Sequence, residues 1–147
     1  SGTIPSAVRA LTSMQILDLP DTYISGTIPP EMGTLTVLQE LSLYNCRLSG
    51  TLPPQIGHLD KLMYLYLDSN ALAGTVPDLS GCRSLRVLRL TNNSFTSLPA
   101  AAPGRPAALR QQQRRARLEH EHGQLHRFPF CGQRHHQPVQ WNLPQKL

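Results

Sequence analysis

Five residues recur along this chain at a fixed interval. Ser1-Gly2-Thr3-Ile4-Pro5 returns as Ser25-Gly26-Thr27-Ile28-Pro29 and as Ser49-Gly50-Thr51-Leu52-Pro53, and a fourth copy reads Ala73-Gly74-Thr75-Val76-Pro77. The glycines stand 24 residues apart each time. A second pattern runs between the copies: Leu11, Met14, Leu17, Leu19 and Ile24 in the first unit, then Leu35, Leu38, Leu41, Leu43 and Leu48. The third unit gives Leu59, Leu62, Leu65, Leu67 and Leu72. The fourth keeps Leu85, Leu88, Leu90 and Phe95 but is one residue shorter ahead of Leu85. A compound repeat of this period confines the fold to a stack of like units, because one unit cannot bury its apolar edge alone.

The chemistry of each unit follows from its spacing. Leu65 and Leu67 are two apart, so on an extended strand both point inward while their neighbours face out. Asn70 follows at a turn, where its amide can bond backbone groups of the adjacent coil. The same position holds Thr22, Cys46 and Asn93 in the other units. Cys46 is therefore expected as a buried ladder residue with a weak S–H donor, not as a disulfide partner or metal ligand. Gly26, Gly50 and Gly74 permit a tight bend, and the prolines after them stop the segment from continuing as a helix or central strand.

This arrangement resembles the leucine-rich repeat, in the plant-type subtype whose consensus continues into Ser-Gly-x-Ile-Pro. That subtype occurs in ectodomains of plant receptor-like kinases and in polygalacturonase-inhibiting proteins. The run from Ser49 to Pro54 is also similar to repeats in surface antigens of kinetoplastid parasites. The resemblance covers residues 1–99 and implies an α/β repeat solenoid, a curved stack with one short parallel strand per 24-residue unit. Neither end shows a polar capping repeat, and the first unit begins in mid-motif. The chain is thus expected to be a slice of a longer solenoid, with apolar edges open on its first and last coils.

Function in such a scaffold is expected on the outward positions of the concave strands. These are Gln15, Ile16, Asp18, Pro20 and Asp21 in the first unit, and Gln39, Glu40, Ser42, Tyr44 and Asn45 in the second. The third offers Met63, Tyr64, Tyr66, Asp68 and Ser69, the fourth Arg86, Val87, Arg89, Thr91 and Asn92. Three of the chain's four tyrosines fall here. Tyrosine supplies large contact area with few rotatable bonds and is over-represented at binding hot spots, although it also simply suits strands. A ligand-binding patch of Tyr44, Tyr64, Tyr66, Glu40, Asp68 and Arg89 is the expectation, with Asp18, Glu40 and Asp68 facing Arg86 and Arg89 across it to orient a partner. Asn92-Asn93-Ser94 makes Asn92 the candidate glycosylation acceptor.

Catalysis finds no footing in the repeats. His58 is the sole histidine before residue 100 and has no suitably spaced Cys or His, so no metal site is expected. The serines lack a base, and Ser-Gly-Thr-x-Pro is a turn, not a phosphate loop. No cofactor is expected. The implied role is a non-catalytic recognition module for a protein, peptide or glycan, in an extracellular or cell-surface parent. Any kinase domain or membrane anchor would lie outside this sequence.

Residues 100–147 form a second region, rich in Gln, Arg and His, expected to be disordered. They contain eight Lys+Arg against two Asp+Glu, whereas residues 1–99 contain six against seven, so the tail's +6 and the repeats' −1 make the net +5. The basicity is therefore confined to the tail and is no argument for a nucleic-acid partner. Its histidines (His120, His122, His126, His135 and His136) and Cys131 match no familiar zinc-finger spacing. Another reading makes the tail an out-of-frame translation. Shifting the codons of Gln137 to Pro144 by one base permits Asn-x-Phe-Ser-Gly-Thr-Phe-Pro, the register of Asn70 to Pro77. On that reading the chain is a truncated or frameshifted product without independent activity, which the nucleotide sequence decides.

Overall fold

A computed structural model of the chain describes residues 2–97. The tail of residues 100–147, with its histidines, Cys131 and the segment that shifts frame, lies outside the described residues. Among the described residues no helix is long and apolar enough to cross a membrane.

Each unit contributes to two parallel sheets. The concave sheet is built from β2 (Ile16–Asp18), β4 (Glu40–Ser42), β6 (Tyr64–Tyr66) and β8 (Val87–Arg89), in that order. Its register is the sequence period made physical: Leu17 pairs with Leu41, Leu41 with Leu65 and Leu65 with Leu88. These leucines point inward together with Leu43, Leu67 and Leu90, and all of them from Leu41 onward are buried. Each fully buried leucine contributes roughly 1.5–3 kcal/mol of hydrophobic stabilisation.

A second strand per unit, beyond the one expected, forms a five-stranded sheet. Its order is β1 (Gly2–Thr3), β3 (Ile24–Gly26), β5 (Arg47–Thr51), β7 (Ala71–Thr75) and β9 (Ser94–Ser97). The Ser-Gly-Thr motif is this strand's end. Gly26, Gly50 and Gly74 adopt φ of +79°, +76° and +78°, where a side chain is strained. There is no room for one either, since a Cβ on Gly50 would lie 2.9 Å from the Thr27 methyl of the preceding coil. The strand stops before the proline, which has no N–H to offer a ladder.

The helical layer is made of 3-10 turns at Ser6–Ala10, Pro30–Thr34 and Pro54–His58, with no α-helix among the described residues. Each follows a proline in extended conformation, and five residues close before the next leucine, which drops into the core at Leu35 and Leu59 but stays exposed at Leu11. Val8, Met32 and Ile56 are the buried side chains of these turns. A tighter helix suits the stack because the coils approach closely there: a Cβ on Gly57 would lie 2.5 Å from the Asp78 carbonyl oxygen.

The asparagine position behaves as its spacing implied. Asn70 Nδ2 donates to the carbonyls of Leu43 at 2.8 Å and Leu67 at 3.1 Å, while its Oδ1 accepts from the Leu48 N–H at 3.0 Å. Asn93 repeats this with the Leu67 carbonyl at 2.8 Å and the Leu72 N–H at 3.0 Å. Cys46 is buried and donates from Sγ to the Leu19 carbonyl at 3.4 Å, with Thr22 Oγ1 at 3.2 Å. Cys82 is also buried, and burial pushes its thiol up to about 11.

The open apolar edge is present on the first coil, where Leu11 and Leu19 are exposed. On the last described coil, in contrast to the expectation, Leu85, Leu88 and Leu90 remain buried and Phe95 is half-buried.

Candidate functional site

Parallel pairing turns the outward residues of the concave sheet into rows. One row is Ile16, Glu40, Tyr64 and Val87, and the next is Asp18, Ser42, Tyr66 and Arg89. A third follows two residues on as Pro20, Tyr44, Asp68 and Thr91, its alignment fixed by the N–H of Asp21, Asn45 and Ser69 donating to the carbonyls of Tyr44, Asp68 and Thr91. All six residues of the expected ligand patch therefore lie on one sheet, across β4, β6 and β8 and the residues that follow them.

The centre of this face is organised around an ion pair and two aromatic rings. Tyr64 and Tyr66 have centroids 6.3 Å apart and ring planes within 11°. The Arg89 guanidinium lies 5.9 Å from the Tyr66 centroid, a cation–π distance, and its Nη2 is 3.2 Å from Asp68 Oδ2. Tyr44, Tyr64, Tyr66 and Glu40 are half-buried, and Arg89 is exposed.

Asp68 departs from its expected place as an open contact residue. It is only 7% exposed, and its Oδ1 is buried with no hydrogen-bond partner among the described residues. Burial pushes its carboxyl above the ordinary value, with Arg89 opposing. Ser42, between Asp18 and Tyr66, is buried as well. Burial also raises the Tyr44 and Tyr66 hydroxyls, helped by Asp21 and Asp18 at Tyr44 and by Glu40 at Tyr66. Both phenols thus stay protonated at neutral pH and can donate a hydrogen bond.

Asp21, Asn45, Ser69 and Asn92 form the rim, all with positive φ between +52° and +56°. Asn45 Nδ2 donates to Asp21 Oδ1, and Asn92 Nδ2 to Ser69 Oγ at 3.3 Å. Asn92 is exposed, as a glycan acceptor must be, and stands at the concave edge.

Two features escaped the reading of single units. The Asp68–Arg89 pair joins neighbouring rows diagonally, and it becomes visible only when the units are stacked with the one-residue deletion before Leu85. Arg47 lies 4.9 Å over the exposed Tyr23 ring, and this pair sits where β3 and β5 of the second sheet begin. Among the described residues no group of His, Cys, Asp and Glu could hold a metal ion.

A family model described as Leucine Rich Repeat matches residues 37–59 and 84–104. Comparison with curated proteins by sequence gives no match. Among solved structures, the plant peptide hormone receptor RGFR1, in complex with RGF2, is 37% identical with a TM-score of 0.63. The match covers 64% of this chain and 15% of that receptor. The Arabidopsis receptor kinase HAESA, in complex with the peptide hormone IDA and the co-receptor SERK1, is 33% identical with a TM-score of 0.63, over 64% of this chain and 16% of HAESA. A plant ice-binding protein is 32% identical with a TM-score of 0.56, over 64% of this chain and 31% of its own. The chain thus spans less than a third of the length of each. Two stacked parallel sheets, an asparagine ladder and a 24-residue period, together with these matches, make the described residues a leucine-rich-repeat solenoid of the plant type.

Proposed function

We propose that the chain is a non-catalytic recognition module and that it holds a peptide or protein segment on the concave face. The observation that carries this is the contrast between identical backbone geometry and dissimilar side chains on that face. Glu40, Tyr64 and Val87 occupy equivalent sites, as do Ser42, Tyr66 and Arg89, so the scaffold does not dictate their identity. Half-buried tyrosines beside an exposed arginine have the composition of binding hot spots. The similar receptors were solved with peptide hormones, which supports a peptide over a glycan as occupant. By the same resemblance, we place the parent protein outside the cell or on its surface, where the exposed Asn92 of the Asn92-Asn93-Ser94 triplet would carry a glycan.

The test uses the full 147-residue chain against a synthetic peptide array, with a glycan array beside it. Tyr64→Ser with Tyr66→Ser is expected to reduce peptide retention at least about tenfold, as hot-spot tyrosines do, without changing circular dichroism. Unchanged retention by the folded variant rejects the concave face as the ligand surface.

A further inference from the structure

The geometry points to Asp68, with Tyr44 and Tyr66, as a cation seat: it takes a lysine ammonium, an arginine guanidinium or an amino terminus of the peptide in exchange for Arg89. This rests on the reading of the concave face as a peptide surface and names the chemistry of the group that surface selects.

Four observations converge on it. Asp68 is 7% exposed, and one of its two carboxylate oxygens has no donor among the described residues. A buried carboxylate short of donors is costly, and a cation that brings several N–H groups to its reachable oxygen offsets that cost. The present partner is loosely held: Arg89 reaches Oδ2 with one nitrogen at 3.2 Å, and its side chain is 54% exposed. An arginine this exposed is held by one contact and can return its charge to water when a competing cation arrives. Its guanidinium also lies 5.9 Å from the Tyr66 centroid, so Arg89 already demonstrates that a cation fits between this carboxylate and this ring.

Charge supplies the fourth argument. Asp18, Asp21, Glu40 and Asp68 all belong to the first three concave strands or the residues just after them, and no Lys or Arg falls within residues 14–24, 38–45 or 62–70. The field there attracts a cation and orients it towards the one carboxylate that is short of donors. Because Oδ1 is itself shielded, the ligand meets the carboxylate at Oδ2, where its several N–H groups replace the single Arg89 nitrogen.

The experiment uses octapeptide probes on an array, each made with lysine, arginine, Nε-acetyl-lysine or glutamate at one position, and the full chain as analyte. Lysine and arginine forms are expected to bind at least about tenfold tighter than the acetyl-lysine form, as a charge-assisted bond to a partly buried carboxylate requires. Asp68→Asn should erase that preference, and Asp18→Asn should leave most of it. Arg89→Ala should tighten the lysine forms by removing the internal competitor. Equal binding of lysine and acetyl-lysine forms, a preference that survives in Asp68→Asn, or weaker lysine binding in Arg89→Ala overturns the seat. The acetylation comparison needs no variant, so it decides the matter even where a substitution unfolds the chain. Peptides retained without any preference for a cation remove the seat alone. Failure of the folded chain to retain any peptide removes the peptide-surface reading and the seat with it.

Discussion

The two sheets of this solenoid are built by the same repeat, yet they treat side chains in opposite ways. On the Ser-Gly-Thr sheet the first four coils repeat the Gly-Thr pair, and only β9 departs from it: Thr3, Thr27, Thr51 and Thr75 are all exposed, and the methyls of Thr3, Thr27 and Thr51 each pack on the glycine one coil on. On the concave sheet the equivalent sites hold Glu40, Tyr64 and Val87, or Asp18, Ser42, Tyr66 and Arg89. Backbone spacing is common to both, so the uniformity of the first sheet has a steric origin. A site at φ near +78° with a threonine methyl closing on the Cβ position favours glycine, and that methyl is sized to it. The concave positions carry no such restriction, and their variety from coil to coil marks where the sequence is available for recognition.

The largest effects are expected in the interior that both sheets share. Leu65→Ala removes a fully buried side chain between two neighbouring coils and should cost about 2–5 kcal/mol, read as a shift in urea midpoint. Asn70→Ala strips the Leu48 N–H and the Leu43 carbonyl of their partners and should cost about 2–3 kcal/mol. Gly50→Ala tests the steric claim about the uniform sheet directly. The backbone at φ +76° and the Thr27 methyl at 2.9 Å together predict a loss of about 1–3 kcal/mol. Thr27→Ser removes that methyl, so Gly50→Ala should be milder in its presence. Equal losses in the two backgrounds would assign the whole cost to the backbone angle.

How much of this was legible beforehand divides along the same line. The stack, the inward leucines and the ladder through Thr22, Cys46, Asn70 and Asn93 follow from a 24-residue period, because parallel stacking places equivalent residues side by side. The second strand was not legible: Ser-Gly-Thr-x-Pro carries turn residues, and its pairing exists only because the next coil repeats it. The 3-10 turns were hidden for a similar reason, although glycines at 33, 57 and 81 share the 24-residue step and signal close approach of the coils. At the site, the sequence placed six side chains on one face but gave Asp68 the wrong exposure. Alternation on a strand predicts which way a residue points, not whether its neighbours cover it. Tyr44 and Arg89 belong to the coils on either side, so what they place around Asp68 is a property of the stack.

Smaller effects sharpen the view of the concave face. Tyr64→Ser with Tyr66→Ser should change stability by less than about 1 kcal/mol, since both rings are only half-buried and no backbone group depends on them. A larger loss would mean that the tyrosines are structural and that the variety of this face has a packing origin.

The smallest effect expected is also the most specific, and it concerns the pH dependence of Asp68. Burial holds its folded-state carboxyl above the ordinary value of 3.8, with Arg89 opposing. As pH falls, the folded chain takes up this proton before the unfolded chain does. The group's contribution to stability is therefore fully present below the unfolded pKa and is lost as pH rises through the raised folded pKa. The melting temperature of the wild-type chain, taken relative to Asp68→Asn, should climb modestly as neutral solution is acidified and level off below about pH 4. A typical surface carboxylate paired with arginine gives the opposite slope, because its folded pKa is depressed. A relative melting temperature that drops with acid would show that Arg89 satisfies Asp68 after all, and the concave face would then have no carboxylate waiting for a cation. A bound lysine peptide supplies the missing donors, so it should reverse the slope in the wild-type chain and leave that of Asp68→Asn unmoved.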